Sequence, residues 1–250
     1  MEIWPSRFFK FLDNKNVLDK IKKELASLAN KKDAQILQRF FKTGKGEYAE
    51  GDIFLGIRVP VQRQVVKKYW EMNLKDLESL LKTNIHEYRL VALLILVKKF
   101  EQGDEKVKEK IFNTYLKNTK YINNWDLVDL TAPSIVGKYL LNKPRDILYK
   151  LAESRSLWER RIAMLACFSF IRNQETKDTL KIAQILLKDE HDLIHKAVGW
   201  MLRELGKRVD QGIEEKFLKK YYKVMPRTML RYAIERFEES KRKKYLMNKI

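Results

Sequence analysis

Arg89-Leu90-Val91-Ala92-Leu93-Leu94-Ile95-Leu96-Val97 is the stretch that decides the fold. From Leu90 to Val97 it is apolar nearly all round, which predicts a helix buried between neighbours rather than one with a solvated face. Its alanine, Ala92, has counterparts in four other strongly apolar helical segments: Ala132, Ala163, Ala197 and Ala233. The spacings are 40, 31, 34 and 36 residues, about the pitch of a two- or three-helix HEAT-type repeat. A small residue at one recurring phase lets stacked helices approach closely. Such repeats build a solenoid whose concave face is made of one helix per repeat.

The flanking sequence agrees. Leu18, Ile21, Leu25 and Leu28 share a helical face, as do Leu77, Leu80 and Leu81. Only nine Gly and five Pro punctuate 250 residues, and no Asn-Gly or Asp-Gly hairpin signal occurs, which suits helices joined by short turns. The expected fold is all-α, a HEAT-like helical-repeat solenoid with a concave basic groove. It forms a single domain over residues 1–250, with residues 1–16 as an N-terminal extension and 17–250 as helical repeats.

With 52 Lys and Arg against 33 Asp and Glu, the formal charge is +19. A polyanionic partner is the first inference, and a surface decorated with lysine is the plain alternative. Position along the chain favours the former. Arg89, Arg160 with Arg161, Lys196 and Arg231 lie one to three residues before four of the alanines, and Asp129 lies three before the fifth. If this phase faces the groove, it is a basic track holding one acid. Pro60, Pro144 and Pro226 read as first-turn prolines, followed within three residues by Arg63, Arg145 and Arg227. Cations there oppose the helix dipole, a conflict that a bound phosphate resolves. The loop Lys42–Asp52 is not a phosphate-binding loop, because no Gly-Lys-Ser/Thr ends it. It is either a linker or a carrier of Lys45 and Tyr48 to a DNA backbone.

Three tryptophans stand at helical spacing from charged residues: Trp125 with Asp129, Trp158 with Arg161, and Trp200 with Lys196, Arg203 following. Large aromatics interleaved with cations suit nucleic acid, since phosphates take the charge and sugars or bases take the ring faces; each Trp taken alone is also a plausible core anchor. His191 and His195 have the spacing of a zinc helix but lack its glutamate, and only His86 remains as a third ligand, so no metal is expected. The single cysteine, Cys167, sits in an apolar run and reads as a core residue of a cytoplasmic protein. No stretch approaches the length of a membrane span, and Met1–Pro5 does not read as the start of a signal peptide.

Four segments together resemble the AlkD family of DNA alkylation-repair glycosylases: Trp125-Asp126-Leu127-Val128-Asp129, Leu157-Trp158-Glu159-Arg160-Arg161-Ile162-Ala163, Ala197-Val198-Gly199-Trp200-Met201-Leu202-Arg203-Glu204 and Pro226-Arg227-Thr228-Met229-Leu230-Arg231-Tyr232-Ala233. Phe54–Pro60 resembles that family's early turn, and the likeness runs collinearly over about residues 17 to 248. The resemblance implies excision of cationic alkylpurines such as 3-methyladenine and 7-methylguanine from duplex DNA by a monomer, with no metal and no cofactor. It implies that Asp129 is the catalytic carboxylate, that Trp125 and Trp200 hold the lesion nucleotide, and that Arg161 completes the cleft. Arg203 and Thr228 join the cations already named as DNA contacts. One departure is plain: where the family can place a Tyr on its second helix, Phe40 and Phe41 stand here, with Tyr48 nearby. A neighbouring Arg should keep Asp129 ionised. Rival readings are a catalytically silent DNA-binding repeat protein and a protein–protein scaffold.

Overall fold

The computed structural model describes residues 14–250. Met1–Asp13, the greater part of the expected N-terminal extension, lie outside the described residues. The first helix, α1, spans Asn14–Ser27, so helix begins three residues before the expected boundary at Val17. Thirteen further α-helices follow among the described residues: α2 (Lys31–Phe40), α3 (Val59–Tyr69), α4 (Leu74–Leu81), α5 (His86–Gln102), α6 (Glu105–Lys117), α7 (Trp125–Asp129), α8 (Asp146–Ala152), α9 (Leu157–Arg172), α10 (Lys177–Ile185), α11 (Asp192–Arg208), α12 (Gln211–Tyr221), α13 (Arg227–Ala233) and α14 (Glu239–Leu246). Among the described residues the only extended pairing is an isolated bridge between Ile53 and Ile85. No described helix is long and apolar enough to cross a membrane.

The protein is an all-α helical repeat. All five phase-marking alanines are wholly buried, and their segments alternate in the chain with α6, α8, α10 and α12. The helix boundaries follow local chemistry. Asn30, Asn73, Asp104, Ser156 and Asp210 cap α2, α4, α6, α9 and α12 by accepting a backbone N–H of the first turn, each cap contributing about 1 kcal/mol. The prolines follow the expected pattern only once. Pro60 lies in the first turn of α3, whereas Pro226 is the residue before α13 and Pro144 precedes α8 by two residues.

The chain divides into two compact units, one ending at Ile95 and the other beginning at Leu96. In the first, α1 packs on α3, and the segment from Phe54 is pinned from within. Glu87 is buried and its carboxylate accepts the backbone N–H groups of Leu55, Gly56 and Ile57 at 2.8–3.1 Å. Gly56 has φ +84°, and a Cβ there would fall 2.2 Å from the Asn30 carbonyl oxygen, so only glycine fits.

In the second unit α9 is the central helix. It packs on α7, α8, α10, α11 and the π-helical turn Pro133–Gly137 that follows α7, while α11 packs in turn on α12 and α13. Most of α9 from Trp158 to Ile171 is buried. At about 25 cal/mol per Å² of apolar surface, that burial is the main reason the helix exists, since a helix of this length is marginal alone. Glycine allows close approach between helices here: a Cβ on Gly137 would meet the Ala166 carbonyl oxygen at 2.3 Å, and one on Gly199 the Met229 carbonyl oxygen at 2.4 Å.

Candidate active site

The site lies within the second unit and is built from α7, α9 and α11. Asn124 caps the one-and-a-half turns of α7, and the four-residue step from Trp125 to Asp129 puts both side chains on one face. The helix then stops. Pro133, which offers no N–H to an α-helical ladder, opens the π-helical turn, and its carbonyl accepts from the Ser169 hydroxyl of α9 at 2.7 Å. Beneath α7 the wholly buried Tyr115 hydroxyl lies 3.0 Å from the Thr131 hydroxyl, which donates to the Leu127 carbonyl. Asp129 therefore projects from a segment fixed at both ends and from below.

Its partner comes from α9. Arg161 donates from Nε to one Asp129 oxygen at 2.8 Å and from an Nη to the other at 2.7 Å, and its remaining Nη donates to the Leu193 carbonyl of α11. This is the planar fork that matches guanidinium to carboxylate. The pair is shielded, with 5% of the Arg161 side chain and 14% of the Asp129 side chain exposed. Burial pushes the Asp129 carboxyl above the ordinary aspartate range, against the charge and hydrogen bonds of Arg161, while the nearby Asp126 adds a smaller push upward. The neighbouring Arg favours the ionised form, as expected from the sequence, but burial acts against it and is the larger influence.

The three tryptophans divide. Trp158 is buried, whereas Trp125 and Trp200 are half-exposed. Trp200 lies 6.2 Å from the Phe168 ring of α9, centroid to centroid. A shielded carboxylate, held by one guanidinium and placed on the same short helix as a half-exposed aromatic, can stabilise a cation that comes against it.

The family model described as DNA alkylation repair enzyme matches residues 21–237. The chain belongs to that family. Its fold is similar to that of a predicted DNA alkylation repair enzyme from Enterococcus faecalis, with a TM-score of 0.67 at 18% identity over 84% of this chain and 97% of that one. No curated protein matches the sequence.

The other side chains expected to contact DNA in this alkylation-repair family member fall into three groups. Lys45, Arg63 and Arg231 are exposed, as is Arg227, which donates to the Leu246 carbonyl at 2.6 Å. Arg160, Lys196 and Arg203 are half-buried and each has a carboxylate partner: Asp189 at 2.6 Å, Asp192 at 2.6 Å, and Glu235. Tyr48 and Thr228 are also half-buried, and Thr228 lies close enough to the Asp192 carboxylate to help hold it below the ordinary range, after Lys196.

Two placements correct the sequence reading. Arg89 is enclosed and ion-paired with buried Asp52, which keeps it from any solvent-facing track. Arg145 does not confront a helix N-terminus unpartnered. Glu175 and Asp178 each accept from it at 2.7 Å, and its guanidinium lies over the Phe170 ring at 3.9 Å. His191 and His195 are engaged by backbone, the first accepting the Leu193 N–H at 3.1 Å and the second lying 2.5 Å from the Asp189 carbonyl. Cys167 is buried, and burial pushes its thiol up. Sequence reasoning missed Thr131, Tyr115 and the Leu193 carbonyl, because each acts through a neighbour and carries no motif of its own.

Proposed function

We propose that this protein is a DNA glycosylase that hydrolyses the N-glycosidic bond of cationic N3- and N7-alkylated purines in duplex DNA, the first step of base excision repair. The observation that carries this reading is the shielded Asp129 carboxylate, fixed by the Arg161 fork on the same face of α7 as half-exposed Trp125. In ordinary DNA binding an acid at that place is a liability, because it repels phosphate. It becomes useful where positive charge develops beside it.

An N-alkylated purine is already cationic. As the bond from C1′ to the base nitrogen breaks, its electron pair leaves with the base, which departs neutral, and the sugar becomes oxocarbenium-like. Asp129 stabilises that sugar cation electrostatically; water then adds at C1′ and gives up a proton, for which the carboxylate is an acceptor. Trp125 and Trp200 offer ring faces to the sugar and to its cationic character. Exposed Lys45, Arg63, Arg227 and Arg231 serve the phosphate backbone, with Tyr48 and Thr228 as polar contacts. Neutral lesions such as uracil leave as anions, and the site holds no evident acid to help them. The same single-domain, HEAT-like, monomeric and cytoplasmic reading as that drawn from the sequence accompanies this proposal.

The test is release of methylated base from alkylated duplex DNA. Asp129→Asn should lower the rate by about 10²–10³, the loss of roughly 3–4 kcal/mol of electrostatic stabilisation, while binding stays intact or tightens. Full activity in that variant would remove the catalytic assignment. A fully satisfied ion pair also favours a second reading, in which Asp129 and Arg161 only join α7 to α9. An Asp129→Asn protein that fails to fold would support it.

A further inference from the structure

The stripe of α9 that begins at Arg161 does not end at the carboxylate site. Phe168 lies seven residues further on and Arg172 eleven, so both return to nearly the same face after about two and three turns, with Arg172 about 16 Å along the axis from Arg161. Phe168 is half-exposed and Arg172 is exposed. The Arg172 guanidinium carbon stands 4.4 Å from the centre of the Phe168 ring, and that of Arg208, from the end of α11, stands 5.2 Å from the same centre. The two cations are therefore within about 10 Å of each other. Each is favoured at its own helix C-terminus and by the ring face, but holding them together costs like-charge repulsion.

The surroundings do not neutralise both. Arg208 donates to Glu204 at 2.6 Å. Among the described residues no carboxylate pairs with Arg172. Arg172 borders a 670 Å³ depression in which Lys138 pairs with Glu101, while Lys108 and Lys143 share Glu105. A guanidinium over an aromatic ring keeps its N–H edge free and pre-set in direction, which suits a tetrahedral dianion or a phosphodiester better than a mobile lysine does. The ring is also a neighbour of half-buried Trp200, 6.2 Å away, and shares α9 with Arg161.

We propose that Arg172 and Arg208, set on the Phe168 ring, grip one DNA backbone phosphodiester at a second anchor point about 16 Å along α9 from the Asp129–Arg161 pair. The anchor lies beyond any single nucleotide held at Asp129, so it fixes the duplex in register while the carboxylate meets the sugar. This deepens, and rests on, the DNA-repair reading.

The experiment is salt-dependent binding of a fluorescent duplex to wild type, Arg172→Ala, Arg208→Ala and the double variant. One lost phosphate contact makes the slope of log K against log salt shallower by about 0.9, so the affinity loss should be about 3-fold larger at 50 than at 200 mM salt. Because both cations serve one phosphate, the double variant should lose about that same increment and not twice it. A scan of single methylphosphonates through both strands should find one position that weakens wild type and leaves Arg172→Ala unaffected, which also identifies the strand. Single variants with wild-type slopes would overturn the proposal, and a lowered melting temperature with an unchanged slope would show that these cations serve only their helix ends. A wild-type slope near zero would instead overturn the DNA reading, and this anchor with it.

Discussion

Replacing Arg161 with alanine separates a carboxylate poised for chemistry from one that needs no partner. The substitution removes a two-point ion pair and the bond to the Leu193 carbonyl, leaving Asp129 shielded without a counter-charge. Breaking a buried pair in this way costs about 3–5 kcal/mol. In a domain of this size each kcal/mol moves the melting temperature by about 2–4 °C, so the expected fall at pH 7.5 is roughly 6–20 °C. The penalty should depend on pH. Burial already holds the folded carboxyl above its ordinary value, and loss of the guanidinium pushes it higher. A carboxyl whose folded pKa exceeds the unfolded value, about 3.9, contributes stability that is fully present below that value and lost as pH rises through the folded pKa. Arg161→Ala should therefore be least impaired in acid and worst near neutrality. Asp129→Asn placed on top of it should restore much of the loss, because it removes the stranded charge. The assay is a set of thermal melts from pH 5 to 8 on wild type, both single variants and the double. A melting temperature for Arg161→Ala within about 2 °C of wild type at every pH would refute the reasoning, since the pair would then not be shielded.

Four further outcomes follow. Trp158→Ala should cost about 3–5 kcal/mol of stability, as for a core aromatic, whereas Trp125→Ala and Trp200→Ala should slow excision with smaller shifts in melting temperature; equal shifts for all three would remove the groove placement of the latter two. Glu214 is 2% exposed, has a side-chain oxygen without a partner among the described residues, and is pushed up to about 8 by burial and by Glu215. Its contribution is present below about 4.5 and lost as pH rises through about 8, so Glu214→Gln should raise the melting temperature at pH 9 and flatten its decline, and an unchanged pH profile would contradict this. Gly199→Ala should lose about 1–3 kcal/mol by overpacking against α13, read by denaturant unfolding, because the new methyl would meet the Met229 carbonyl at 2.4 Å. The rate of base release should fall on the acid side with a midpoint above the ordinary aspartate range, because protonation of raised Asp129 removes the stabilising charge; a profile flat down to pH 4 would argue against its role.

The sequence by itself determined the helical repeat. A recurring alanine at a fixed phase reports which face of each helix must be buried, and all five of these alanines are wholly buried, because side-chain period and core exposure are two views of one geometry. It also determined that Trp125 and Asp129 share a face, a purely local fact. Tertiary structure decided which charges remain for a partner. Asp52 is 37 residues from Arg89, Asp129 is 32 from Arg161, and Asp189 is 29 from Arg160. Helical period says which way a cation points but not which carboxylate the neighbouring helix brings to it. The phase before the alanines thus looked uniform in the sequence, yet it holds an enclosed Arg89, a paired Arg160, a clamping Arg161 and an exposed Arg231. The same limit hid the meeting of Arg172 and Arg208 on Phe168, since two helix ends 36 residues apart come together only through the packing of α9 against α11.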